Sequence, residues 1–224
     1  MRQAVSGIFL SALVLAGCSA ADKPPAPAAT APSAPSAAET DRLRAALLPV
    51  PKGMQVAYGP ETGAFGSLKS TQQGLEAVRQ AKLQHPECAG AAQLDAAKAE
   101  IAQSPAAVVA FSAERGSISQ AVVSLPKPDF PAALPEKCTS YTADVGGTPV
   151  TYTTRTLEMP AKGDQSRAYL TTAKGGDQNA QIGSVMIRRG TTVMSMLVVG
   201  RQVKPKGLYE LADLADQNLA RASR

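Results

Sequence analysis

"TTVMSMLVVG", residues 191–200, is the stretch whose reading decides the fold. From Val193 to Val199 both alternating faces are apolar, and only Ser195 interrupts them. A strand of that kind is covered on both sides and belongs near the middle of a sheet. Just upstream, "QIGSVMIRR" (181–189) reads as a second strand, with Gly190 supplying the turn between the two.

Working outward, the same grammar recurs. "AAVVAF" (106–111) and "SISQAVVSL" (117–125) flank "SAERG", a hairpin signal with Gly116 at the tight position. "CTSYTADV" (138–145) and "PVTYTTRTLEM" (149–159), dense in Thr and Tyr, flank Gly146-Gly147-Thr148, and "SRAYLTTA" (166–173) follows. "GMQVAYGP" (53–60) is a shorter strand candidate.

Helical spacing appears at both ends. In "TDRLRAALLP" (40–49), Thr40 or Asp41 caps a helix that puts Leu43, Ala46 and Leu47 on one face, and Pro49 closes it. Residues 67–84 carry Leu68, Leu75, Val78 and Leu83 at loosely helical spacing, stopped by Pro86. Residues 91–103 place Leu94, Ala97 and Ile101 on one side, ended by Ser104-Pro105. The clearest period is the last: Leu208, Leu211, Ala212, Ala215 and Leu219 share a face opposite Glu210, Asp213, Asp216 and Gln217. Helices first, hairpins next and a closing amphipathic helix describe an α+β domain: a meander-like antiparallel sheet with helices packed on one face.

The N-terminal "LVLAGCSA" (13–20) addresses location. Arg2, an apolar run to Ala16 and small residues before Cys18 make a secretory signal too short to span a bilayer. Leu15-Ala16-Gly17-Cys18 resembles the bacterial lipobox at all four positions. That resemblance implies cleavage before Cys18, a diacylglyceryl thioether on its sulfur and further acylation, with chains such as palmitate. An ordinary signal peptide whose cleavage site happens to contain cysteine is the alternative. The expected organisation is a signal peptide over 1–17, a disordered Ala/Pro/Ser-rich tether over 18–40 and one α+β domain over 41–224. The tether, "SAADKPPAPAATAPSAPSAAET" from residue 19, holds no large apolar side chain to offset its ordering entropy. Two or three acyl chains would attach the protein durably to the extracytoplasmic face of the cell membrane, at about 0.8 kcal/mol per buried CH2.

With Cys18 acylated, Cys88 and Cys138 remain, an even pair in an oxidising setting. They read as a disulfide whose loop of about fifty residues is worth roughly 4 kcal/mol. A metal site is the alternative, but it would need more ligands than these two and His85, the single histidine in the chain.

No reaction is declared. His85 precedes a proline at a helix end, the place of a surface or capping residue, and no G-x-S-x-G elbow exists for a triad. Zincin, phosphate-loop and dinucleotide motifs are missing, so no metal and no cofactor is expected. In "GGDQNAQIG" (175–183), Asp177, Asn179 and Gln181 alternate like calcium ligands, yet Arg188 stands where the bidentate Glu belongs. Glu114, Glu136, Glu158 and Asp164 could pair in space, but no spacing argues for it. A chain with 23 Lys+Arg against 18 Asp+Glu, scattered rather than clustered, is a poor nucleic-acid binder, and export takes it away from such a target. With no Trp and 4% aromatic residues, a carbohydrate-stacking platform is not expected.

The lipobox, the Pro/Ala-rich stalk, "ALLPVPKGM" (46–54), a helical segment ending near a cysteine and a cysteine before Thr-rich hairpins resemble actinobacterial exported lipoproteins. They are similar to the extracellular sensor domain of PknH-type receptor kinases. The resemblance implies an antiparallel sheet whose packed helices form a cleft. This chain departs from it in having one candidate disulfide rather than two and no kinase domain before it, so a free-standing binding role is what carries over. The expectation is a non-catalytic domain that binds a ligand or partner at the envelope, with lipid or cell-wall material as candidate ligand. The competing expectations are a hydrolase with a carboxylate pair formed only on folding, and a structural surface lipoprotein. Ligand-binding residues and oligomeric state are not legible.

Overall fold

A computed structural model of the chain describes residues 36–176 and 178–223, the side chain of Gln178 excepted. The signal segment, Cys18 and most of the tether lie outside these residues, as does Asp177. The strands are β1 (Gln55–Ala64), β2 (Lys82–Leu83), β3 (Pro105–Ala113), β4 (Gly116–Ser124), β5 (Ser140–Val145), β6 (Thr148–Leu157), β7 (Gln165–Gly175), β8 (Gln178–Arg189) and β9 (Thr192–Gly200). They form one antiparallel sheet in the order β1-β3-β4-β9-β8-β7-β6-β5-β2.

The two-sided apolar run 193–199 lies in β9, which pairs with β4 on one side and β8 on the other. Strands β5 to β9 are a plain meander. Its first turn, Gly146-Gly147, has both residues at positive φ, the geometry a two-residue hairpin needs and the reason both are glycine. The β3–β4 hairpin then docks on β9, with Ala121 opposite Ser195 and Val122 opposite Met194.

One face of the sheet is closed by α1 (Ala37–Ala45) and α4 (Pro205–Ala222). Alternate strand residues Val109, Phe111, Val122, Val185, Ile187, Met194 and Met196 meet Leu43, Leu208, Ala212, Ala215 and Leu219 there. The alanines of α4 let its axis come close. At Gly183 a Cβ would lie 2.9 Å from Val203 and 3.0 Å from Leu208, so any larger residue would push the start of α4 away. Arg189 donates two hydrogen bonds to Asp216, at 2.8 and 2.9 Å, and fixes α4 across the strands.

Helix α1 starts at Ala37 and is capped by Ser36, whose hydroxyl accepts from the Glu39 N–H at 3.2 Å. The cap is therefore four residues before Thr40. Ser36 follows a proline-rich stretch, and Ala37, Ala38 and Glu39 are good helix formers once Leu43 anchors the turn behind them. Beyond the helix, the Leu48 N–H donates to Gln120 Oε1 (2.6 Å) and Asn218 donates to the Leu47 carbonyl (2.9 Å).

The opposite face is crossed twice by the chain between β1 and β3. The first limb is α2 (Lys69–Gln80), which leaves edge strand β1 and delivers β2 to the other edge of the sheet, against β5. The second limb, residues 84–104, returns and ends in the single turn α3 (Ala99–Ala102). A helix was expected over 91–103. Asp95 breaks it, since its carboxylate accepts from the Ala97 N–H at 3.0 Å, the local turn that competes with helix. Leu94 is instead drawn into a second core with Phe65, Leu68, Ile101, Val108, Val123 and Val193. Among the described residues, no helix is long and apolar enough to cross a membrane.

Candidate functional site

The two limbs and the sheet enclose a cavity of about 520 Å³. Its floor is made by small side chains on adjacent central strands: Ser119 and Ala121 of β4 and Ser195 of β9. Ser195, the one polar interruption of an otherwise apolar strand, points to this side and is part of why space remains. Its walls are Tyr58, Phe65 and Val108 on one side and Leu94 on the return limb.

Helix α2 is the roof. It is amphipathic, with Leu75 and Val78 toward the cavity and Glu76 on the other face, where its carboxylate accepts from Arg79 and Gln80; Arg79 also reaches the rim of the cavity. Yet it contributes no buried residue. An apolar helix face normally drives helix docking by burying its stripe; here the stripe of α2 faces open space instead of packed side chains. Its N-terminus is held from outside, because Leu68 offers no capping side chain and Glu61 of β1 accepts from the Ser70 N–H and hydroxyl instead. Tyr58 stands beside Glu61. Burial first, then the negative charge of Glu61, raises its phenol above the ordinary value of 10.0.

A smaller cavity of about 130 Å³ adjoins the first, sharing Gly90, Gln93 and Leu197. Its floor is hydroxylic: Thr154 and Thr171 are bonded at 2.8 Å, and buried Ser184 has no hydrogen-bond partner for its Oγ. Tyr141 and Tyr152 stack beside it with ring centroids 5.1 Å apart. Burial, then Tyr152, raises the Tyr141 phenol.

Cys88 and Cys138 are bonded and form part of this wall. The two limbs together form a strap, and the bond ties the point where it turns back to the start of β5. Each cysteine follows one member of an ion pair, Glu87 with Lys137 at 3.0 Å. A hydrogen bond from the Glu87 backbone, then Lys137, holds that carboxyl below its usual range. His85 is the residue before the helical turn Pro86–Cys88 and accepts through its carbonyl from the Cys88 N–H (2.9 Å).

The carboxylates considered for hydrolysis are not brought together at the cavities. Glu114 lies in the β3–β4 turn, at the end of the sheet marked by Gly200. Asp164 is at the other end, bonded to Arg188 (3.2 Å) and the Gly190 N–H (2.8 Å). Glu136 and Glu158 are exposed on separate connections. Among the described residues, no group of three His, Cys, Asp or Glu side chains is placed to hold a metal ion.

Sequence reasoning missed the cavity residues. The tyrosine pair carried a signal: a two-residue turn at 146–147 places 141 opposite 152 by register alone. Nothing local could have matched Ser119 and Ala121 with Ser195.

No protein family and no curated protein matches the chain in sequence. Among solved structures, the chain is similar to the extracellular domain of PknH from Mycobacterium tuberculosis, with a TM-score of 0.47, 14% identity and coverage of 82% of this chain and 96% of that one. It is also similar to the Rv0999 ortholog from Mycobacterium smegmatis, with a TM-score of 0.46, 12% identity and coverage of 83% and 94%. The first of these is an extracellular domain of the PknH type named in the resemblance above.

Proposed function

We propose that this chain is an exported lipoprotein, tethered through Cys18 to the outer face of the cell membrane, whose domain binds an apolar or amphipathic ligand beneath the strap. The reading is non-catalytic. The observation that carries it is the roof: a helix whose apolar face has no fully buried residue, over a cavity of about 520 Å³ floored by Ser119, Ala121 and Ser195. Ligand sites are concave, mostly apolar and equipped with a few oriented polar groups, and this one has that composition. The dispersed carboxylates supply no acid–base pair at either cavity, which supports binding over hydrolysis. Export is supported by the bonded cysteines, which persist in oxidising compartments, and by the lipobox ahead of the tether.

The test is a fluorescent apolar probe, N-phenyl-1-naphthylamine, titrated into the full chain and into Ala121→Phe. The larger ring occupies the floor of the cavity, so probe binding should fall at least tenfold while thermal stability holds. Unchanged binding by the variant, or no binding by the parent, sinks the reading. Anchoring is tested separately by radiolabelled palmitate, which should enter the parent and not Cys18→Ala.

A further inference from the structure

We infer that the smaller cavity is a head-group subsite, and that it takes an uncharged polyol ester whose acyl body lies in the larger one. This rests on the binding role proposed above and narrows it to a chemical class. Every side chain lining the smaller cavity is neutral: the disulfide, small residues 90–92, Gln93, three aliphatic groups, two tyrosines and three hydroxyl residues. A phosphate or carboxylate brought there would lose its water with no cation to replace it, a cost far above that of a neutral polar group.

What the site offers instead is hydroxyl chemistry. The bond between Thr154 and Thr171 uses one of their two hydroxyl protons and leaves the other. Ser184 is 3% exposed, and its Oγ is without a partner. A buried hydroxyl left unpaired is costly, so this one calls for a partner within the cavity it lines, and a ligand oxygen that displaces solvent can supply it. Two free protons on one floor suit ester carbonyls and polyol oxygens. The stacked Tyr141 and Tyr152 add an amphipathic wall suited to C–H and O–H groups alike. About 130 Å³ leaves room for a few water-sized groups, the scale of a glyceryl unit. The apolar cavity begins on the other side of Gln93 and Leu197, so a single chain can run from one to the other.

The closing experiment compares three ligands with one acyl chain: monoolein, oleate and lysophosphatidylglycerol with an oleoyl chain. Each displaces the fluorescent probe from the full chain and from Ser184→Ala. Monoolein should bind tightest. The Ser184→Ala variant should weaken monoolein roughly 3- to 10-fold, the range of one hydrogen bond, and leave oleate unchanged. Its melting temperature should hold or rise, because the hydroxyl removed is unpaired in the free protein; a clear fall would mark Ser184 as merely structural. Equal or tighter binding of the charged ligands, or no effect of the variant on monoolein, overturns the subsite. If none of the three displaces a probe that itself binds, the subsite fails and the apolar cavity stands. If the probe does not bind, the underlying reading fails.

Discussion

The carboxylate of Glu61 on β1 accepts hydrogen bonds from both the backbone N–H (3.1 Å) and the hydroxyl (2.8 Å) of Ser70 at the start of α2. An edge strand thus supplies the cap that the helix lacks. The helix that roofs the cavity is held at that end by one side chain from another element, and at the other by its run into β2.

Removing that cap should loosen the roof before it unfolds the domain. Glu61→Ala is expected to cost about 0.5–2 kcal/mol, the range of a lost N-cap. Amide exchange should accelerate across residues 69–80 and not in β8 or β9. Glu61→Gln, which keeps an acceptor, should restore most of the protection. Uniform acceleration through the sheet would contradict a local role.

The disulfide closes a loop with a sequence separation of 50. Cys88→Ser with Cys138→Ser should therefore destabilise by roughly 4 kcal/mol, which corresponds to a fall in melting temperature of about ten degrees for a domain of this size. Intact mass should rise by two hydrogens on reduction of the parent. No mass change would remove the staple altogether.

Two leucines on two helices should behave differently. Leu219 of α4 is fully buried against the sheet, and Leu219→Ala should cost about 2–5 kcal/mol in denaturant melts. Leu75 of α2 faces the cavity and is half-buried, so Leu75→Ala should cost less than about 1 kcal/mol while weakening probe binding several-fold. Similar losses of stability at both sites would mean that α2 is ordinary core.

Alkaline titration gives a signed prediction. Burial is the first cause of the raised phenols of Tyr58 and Tyr141, so their neutral forms are favoured in the folded state. A group whose folded pKa lies above its unfolded value contributes stability that is complete below the unfolded value, about 10, and is lost as pH rises through the folded one. Both should ionise late when followed by absorbance, and Tyr58→Phe or Tyr141→Phe should each remove a late component. The slope of stability against pH should be downward above about pH 10. Late components that survive both substitutions would refute the assignment.

Local pattern alone determined much of this protein. The two-sided apolar run 193–199 required a covered strand, Gly146-Gly147 required a tight hairpin and set Tyr141 against Tyr152, and the spacing from Leu208 to Leu219 set the face that α4 buries. Cys88 and Cys138, the pair expected to bond in an exported chain, are bonded in the structure. These features rest on interactions among neighbours in the chain, where side-chain period and turn chemistry act directly.

Tertiary structure decided the rest. That β9 lies between β4 and β8, that α2 carries the chain from one edge of the sheet to the other, and that residues 91–98 abandon helix to seat Leu94 depend on contacts between distant segments. The cavity is of this kind too: Ser119 and Ala121 meet Ser195 only because two strands some seventy residues apart pair in one register, so no local window contains the empty space between them.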